Sequence, residues 1–217
     1  MTHTVKPTTH SVRLVSITPD AEELVAYCAR VSNPTNQNNH DTAPRLLKYL
    51  IKHKHWSPFE MANMVVEINT TRAVAAQILR HRSFSFQEFS QRYADVGQLG
   101  QPIRPQLRLQ DDKNRQNSIE QAEEDLFLQK EIDCLFKHSE EVYRQLIVAG
   151  VAKECARDVL PMAIPSRLYM NGTIRSWLHY VDLRADPGTQ KEHRMIAEGV
   201  KDLLEQHCPS IYEAMWT

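Results

Sequence analysis

Apolar and polar residues alternate through SVRLVSI (11–17), the period-two pattern of a half-buried strand. The rhythm then changes in TPDAEELVAYCARVS. Thr18 or Asp20 is placed to cap a helix, Pro19 suits its first turn, and carboxylates follow near the start. NPTNQNNHDTAP is polar throughout and reads as a loop. Leu46, Leu47, Leu50 and Ile51 then recur at helical spacing in APRLLKYLIKH. HKHWSPF breaks at Pro58. MANMVVEINT (61–70) is β-branched enough for a strand, and Thr70 or Thr71 caps a helix over TRAVAAQILRHR (71–82).

From Asp95 to about Gln116 the chain is polar and carries Gly97, Gly100, Pro102 and Pro105. That predicts a long surface excursion, open to ordering by a partner. Residues 118–149 hold Leu126, Cys134, Leu135, Val142, Leu146 and Ile147 at mixed three- and four-residue spacings, one long amphipathic helix stopped by Gly150. VAKECARDVLP gives a short helix ended by Pro161, and SRLYMNGT is a candidate strand. IRSWLHYVDLR and TQKEHRMIAEGVKDLLEQHC are helical, and Pro209 opens a last turn, PSIYEAMW. The whole predicts a mixed α/β fold of α+β type: a helix-rich single domain over residues 1–217, with a small antiparallel sheet and one long amphipathic helix.

A chain of 217 residues buries about 70–75% of its unfolded surface and needs no staples. Its net charge of −1 lacks the basic excess of general nucleic-acid binders, while leaving room for a local basic pocket. No apolar run approaches the roughly 20 residues that span a bilayer. The N-terminus, MTHTVKPTTHSVRL, lacks the apolar core of a secretory signal. Four scattered cysteines without a C-x-x-C argue against a zinc cage or a disulfide scaffold and suit a cytoplasmic location.

The chemistry concentrates in RHRSFSFQEFSQRY (80–93). On a regular helix Arg80 and Arg82 point roughly 200° apart, so they cannot both grip one small ligand. Gln77 and Arg80 share a face, with Ala73 and Ala76 leaving room for close approach. Two ligands, or one large bent ligand, fit that divergence; the plainer alternative is cations favoured by the helix dipole. If 88–92 is extended, Glu88, Ser90 and Arg92 fall on one side. An acceptor, a hydroxyl and a forked cation are what a nucleoside monophosphate requires. Phe84, Phe86 and Tyr93 either add planar surface or pack in the core. His53 and His55 form a metal pair or serve as loop residues, His55 then able to contact a flat ring.

Arg80-His81-Arg82, seven residues, then Ser90 resembles the signature of the flavin-dependent thymidylate synthases. HWSPFE (55–60) is similar to that family's His-x-[Ser/Thr]-Pro-Phe-Glu, and CARDVLP (155–161) to its Ala-Arg-x-x-Leu-Pro. IRSWLHYVDLRAD (174–186) resembles its Arg-rich late helix, and GTQKEH (188–193) a variant of the following loop. The likeness runs from about residue 11 to the C-terminus. It implies reductive methylation of dUMP to dTMP with FAD as cofactor and 5,10-methylenetetrahydrofolate and NADPH as co-substrates. It also implies a homotetramer with active sites between subunits, and no metal.

By the same resemblance Gln77, Arg80, Glu88, Ser90, Arg92, Arg157 and Arg184 match dUMP contacts, part of the set coming from a neighbouring subunit. Ser57, Glu60, Arg80, His81, Arg82, Ser83, Glu88, Thr173, Arg175 and His179 match positions near FAD. His55 matches a histidine at the flavin face, where folate or NADPH stacks. Arg184 at the uracil O2/N3 edge would favour the N3-ionised form and so activate C5. Ser90 would orient dUMP, with covalent attack as the lesser alternative. The chain departs from many members in carrying Gly188-Thr189-Gln190 for His-Ala-Gln, and Thr173 for Asn.

Three further features get plain structural readings. Cys155, near Arg157, is expected to be a buried thiol rather than a nucleophile. Glu192-His193 is expected on a solvated helix face, and SIEQAEED (118–125) at a helix start. Two rival functions are a non-catalytic phosphate or RNA-binding module, using the arginines at 80, 82, 92, 104, 108 and 115, and a metal hydrolase using His53, His55 and His81.

Overall fold

In the computed structural model, which describes residues 10–121 and 125–217, the strand expected over 11–17 is present as β1, Ser11–Ile17. The first helix, α1, runs Ala21–Ala29, with Asp20 as its cap residue in left-handed backbone and no side-chain cap bond. Thr18 has another use: its hydroxyl accepts from the Asn63 amide at 2.9 Å and ties β1 to the next strand. Helix α2 spans Ala43–Lys52, and a 3-10 turn over Ser57–Glu60 follows where Pro58 breaks the chain. Strand β2, Asn63–Thr71, leads directly into α3, Arg72–Ile78, whose first turn is capped by the Thr71 hydroxyl accepting from the Val74 amide.

Beyond α3 come β3 (Ser85–Glu88), β4 (Arg108–Gln110) and β5 (Ser118–Glu120), then the long α4 (Leu126–Val148) and the short α5 (Lys153–Ala156). Strand β6 (Pro165–Thr173) and helices α6 (Ile174–Arg184), α7 (Lys191–His207) and α8 (Pro209–Trp216) complete the chain. The result is a mixed α/β fold. Its main sheet is antiparallel in the order β1-β2-β6-β3, and β4 and β5 pair as a separate hairpin.

The two long strands β2 and β6 pair over their full lengths and form the rigid centre. Met64, Val66, Ile68, Leu168 and Met170 point from them to one face and are completely buried. Helices α6, α7 and α8 close over that face with Trp177, Leu178, Ile196, Val200 and Ile211. The opposite face is polar. Glu67 accepts from Arg13 on β1 (2.8 Å) and from Tyr169 on β6 (3.0 Å), a cross-strand row fixed by the register Arg13–Glu67–Tyr169.

Close approach at one glycine shapes the site. A Cβ on Gly172 would lie 2.4 Å from the Phe84 ring. Phe84 lies across β6 there and meets Trp177 edge-on at 4.7 Å. Phe84 and Phe86 are thus packing residues of the core rim, and Tyr93 is exposed.

Several expectations change. Helix α3 stops at Ile78, not Arg82, because the amides of Arg80 and His81 turn back to the carbonyls of Gln77 and Ile78, a tightened i→i+3 ending. The extended segment stops at Glu88, and Ser90 to Tyr93 form a turn in which the amides of Tyr93 and Ala94 bond the Ser90 carbonyl. Glu88, Ser90 and Arg92 therefore do not share one strand face. The helix expected from residue 118 begins at Leu126, capped by Asp125, because Ser118–Glu120 pairs with Arg108–Gln110. The N-terminal stretch 1–9 and residues 122–124 of the acidic segment lie outside the described residues.

On α4, Val142, Leu146 and Ile147 are half-buried near Tyr143, whereas Leu126, Cys134 and Leu135 are exposed. Gly150 ends the region in left-handed backbone (φ 81°), the usual glycine stop. No helix among the described residues is long and apolar enough to cross a membrane.

Candidate active site

The end of α3 and the start of α7 face each other across a polar cavity of about 360 Å³. Gln77 and Arg80 line it from the α3 side, Arg184 from the last turn of α6, and Gly188, Thr189 and Gln190 from the loop before α7. Gln116 enters from the turn between β4 and β5. Among the described residues, no carboxylate lines this cavity. Neither Arg80 nor Arg184 has an acidic partner among the described residues, so two cations face one polar space without compensation. Such a space attracts an anion with acceptor atoms.

Arg184 is held from behind. Its Nε donates to His81 Nε2 at 3.0 Å, which requires a histidine unprotonated at that nitrogen. Burial first, and then the positive charge of Arg184, push the His81 pKa down to about 4. The ring is then neutral at ordinary pH and can accept. It sits edge-on to Tyr180 at 5.0 Å and to His193 at 6.0 Å. His193 is also pushed down to about 4, by burial first and then by Arg184 and His81.

Both shifts disfavour protonation in the folded state, while an unfolded histidine titrates near 6.5. Between 6.5 and about 4 the unfolded chain binds more protons, so this stability is complete above 6.5 and is lost as pH falls through that window. His10 is shifted the same way, chiefly by burial. Thermal melting followed from pH 7.5 down to 5 is expected to show a falling midpoint; a flat profile contradicts the buried neutral histidines.

A second group gathers where the 57–60 turn meets α6. Arg175 forms an ion pair with Glu60, and His179 meets Trp56 edge-on at 4.9 Å. The Thr173 hydroxyl caps α6 by accepting from the Ser176 amide, and the Ser176 hydroxyl donates to the Ser83 carbonyl at 3.2 Å. Ser57, Glu60, Ser83, Thr173, Arg175 and His179 thus belong to one neighbourhood, whereas His55 lies beside Tyr49 and His53. Arg82 lies in the turn between this group and His81 and does not line the Arg80 cavity. Arg80 lines the cavity and Arg82 does not, and both sit in the turn after α3 rather than on a regular helix.

The remaining sequence candidates lie apart. Arg92 pairs with Glu154 (3.1 Å), and Arg157 Nε donates to the Glu154 carbonyl. Lys153 donates to the Tyr93 carbonyl at 2.9 Å, which closes the turn that begins at Ser90. Glu88 accepts from the Ser166 hydroxyl at 2.7 Å. Within one chain, Glu88, Ser90, Arg92 and Arg157 do not line the cavity of Arg80 and Arg184.

Two plain readings are overturned. Cys155 is exposed, and Cys208 is the buried cysteine, its thiol pushed up to about 12 by burial. Glu192 and His193 are not on a solvated face: Arg108 grips Glu192 with two bonds of 2.7 and 3.0 Å, and His193 is buried. The spacing of His193 with Ile196, Ala197, Val200 and Leu204 carries the signal of its burial. Gln116 reaches the cavity through the hairpin and Gln190 through its bond to Gln77, and neither contact is written in local sequence.

The rival functions fare poorly. Arg92, Arg104 and Arg108 are each paired with a carboxylate, which removes half of the proposed polyanion surface. His81 faces the Arg184 guanidinium, an unfavourable place for a metal cation, and His53 and His55 stand 6.1 Å apart with Tyr49 beside them.

The chain is similar to several known proteins. The family model described as thymidylate synthase complementing protein matches residues 13–210. A probable flavin-dependent thymidylate synthase of Paramecium bursaria Chlorella virus 1 is 50% identical over 214 residues, covering 94% of this chain and 98% of the viral protein. A flavin-dependent thymidylate synthase of Synechocystis sp. is 45% identical over 196 residues, 89% of each chain. Among solved structures, the UMP/dUMP methylase PolB from Streptomyces cacaoi bound with 5-Br dUMP superposes with a TM-score of 0.80 at 26% identity, covering 94% of this chain and 93% of that one.

Proposed function

The chain belongs to the flavin-dependent thymidylate synthase family, and on that premise we propose that it converts dUMP to dTMP as one domain over residues 1–217. The carbon comes from 5,10-methylenetetrahydrofolate, the reducing equivalents from NADPH through FAD, and the folate leaves as tetrahydrofolate. The observation that carries the reading is the cavity in which Arg80 and Arg184 stand unpaired beside Gln77. Purified protein is expected to be yellow and to turn over dUMP only with methylenetetrahydrofolate and NADPH both present. A colourless protein that takes up no added FAD overturns the proposal.

Arg80, Arg184 and Gln77 hold dUMP from one subunit. Arg184 stands at the uracil O2/N3 edge, where its charge stabilises the N3 anion and raises the electron density at C5. His81 keeps the guanidinium aimed by accepting from Nε and leaves its other nitrogens for the ligand. Ser90, Arg92, Glu88 and Arg157 act on dUMP from a neighbouring subunit, Ser90 by orienting the substrate. Their separation from the Arg80 cavity within one chain supports that division. So do the exposed apolar residues Leu126, Phe127 and Leu135 on α4, which a homotetramer would cover.

The groups around Arg175 suit a flavin dinucleotide: a guanidinium binds diphosphate oxygens, and His179 with Trp56 offers a ring edge. Ser57, Glu60, Arg82, Ser83, Thr173, Arg175 and His179 would hold FAD, with Arg80, His81 and Glu88 at the border shared with dUMP and His55 where folate or NADPH stacks. When bound, FAD supplies hydride transfer; the chain supplies orientation and charge. Arg82→Ala is expected to weaken flavin retention by about tenfold and dUMP affinity much less. Flavin fluorescence and dUMP titration measure the two separately, and the opposite order contradicts the assignment.

A further inference from the structure

A directed chain of hydrogen bonds runs behind the cavity. Its fixed end is Glu192, the carboxylate gripped by Arg108, with side chains only 16% and 12% exposed. Burial alone would raise the Glu192 pKa, but bonds from Arg108, Gln190 and its own backbone amide outweigh that and hold it near 2. A carboxylate only accepts. Gln190 must therefore turn its Nε2 toward Glu192, and does so at 2.9 Å. Its Oε1 then faces Gln77, whose Nε2 donates to it at 2.6 Å. The Gln77 Oε1 is left facing His193 Nδ1 at 3.4 Å, so that nitrogen must carry the proton.

The rest of His193 agrees. The residue is 1% exposed, and its Nε2 is buried with no partner, the state of a neutral ring whose single proton is on Nδ1. Each glutamine nitrogen has two hydrogens, and the chain uses one of each. The second hydrogens of Gln77 and Gln190 belong to residues that line the cavity, alongside Arg80 and Arg184. With the amides held this way round, these four residues present donors.

We propose that His193 is a positioning residue for the substrate cavity: by donating from Nδ1 it locks the Gln77 amide with its N–H outward, so that the wall selects ligand atoms that accept. The carbonyl and phosphate oxygens of dUMP are such atoms. Without the His193 donor, the Gln77 amide keeps only its bond to Gln190, its carbonyl oxygen loses its donor, and its orientation in the wall is less firmly fixed. The inference rests on the dUMP reading of the cavity.

The test compares the parent with His193→Leu and His193→Asn, all loaded with flavin. Asparagine keeps an N–H close to the place of Nδ1; leucine removes it while filling the buried volume. The leucine variant is expected to bind dUMP about tenfold more weakly, with flavin content and thermal midpoint unchanged, and the asparagine variant to stay within about twofold of the parent. A leucine variant that binds dUMP as the parent does overturns the inference and leaves the dUMP reading standing. A folded, yellow parent that binds no dUMP removes both. Should leucine lower the midpoint, a neutron structure of the parent decides: deuterium on Nδ1 of His193 supports the proposal, and deuterium on Nε2 overturns it.

Discussion

Arg184→Ala is expected to leave the protein yellow and to lower dUMP turnover by about 10²–10³-fold, the usual loss when one preorganised charge is removed from a reacting site. Arg184 lines the cavity and touches His81, but it takes no part in the Arg175–Glu60 neighbourhood assigned to the flavin. The variant should therefore separate flavin content from catalysis. A second reading is independent of activity. Arg184 lowers the pKa of both His81 and His193, so its removal should move both upward, although burial remains the larger influence. The acid loss of stability should then be smaller and end at a higher pH. Full turnover by the variant takes Arg184 out of the chemistry.

Gly172→Ala is the second large effect. The added methyl would meet the Phe84 ring at 2.4 Å, with Trp177 and Tyr180 packed behind that ring. The ring cannot retreat without moving the 81–84 turn, which carries His81, Arg82 and Ser83. Overpacking of this kind costs about 1–3 kcal/mol. A lower thermal midpoint together with weaker flavin retention is expected, both readable from flavin release on heating. The double variant Gly172→Ala, Phe84→Leu should recover part of the midpoint by giving the methyl room. An unchanged midpoint in the single variant would show that Phe84 does not hold the turn.

The long elements were legible because their patterns are local. Strands β1, β2 and β6 and helices α2, α6, α7 and α8 follow the periodicity of their own residues. What failed depends on distant partners. Nothing in ILRHRS marks a helix stop at Ile78; the reason is that Phe84 must reach the slot over Gly172 a few residues later. Ser118 to Glu120 resemble a helix start until Arg108–Gln110 offers them a strand to pair with. Cys155 sits in a four-residue helix too short to have a reliable buried face. Glu192 and His193 look solvated as a pair, yet the hairpin arginine at 108 covers the first and helix periodicity buries the second.

The candidate site divides along the same line. Gln77, Arg80 and Arg184 were recognisable in sequence and meet at one cavity. Arg82, expected to point away from Arg80, lies in the turn after α3 and is not among the residues lining that cavity. Ser90, Arg92 and Arg157 were recognisable too, but one chain does not bring them to that cavity. Their proposed partnership with it needs a neighbouring subunit, which a single sequence cannot display. Gln116 carries no motif, and Gln190 and His193, though inside the family-like GTQKEH stretch, take no role from it; their place goes with the clamp between Arg108 and Glu192.

The most direct measurement is a crystal structure of the flavin-loaded protein with dUMP. The nucleotide is expected in the Gln77–Arg80–Arg184 cavity, its uracil O2/N3 edge within hydrogen-bond reach of Arg184 and its phosphate met by Ser90, Arg92 and Arg157 of a neighbouring subunit. A nucleotide bound elsewhere, with Arg80 and Arg184 both out of reach, would contradict it.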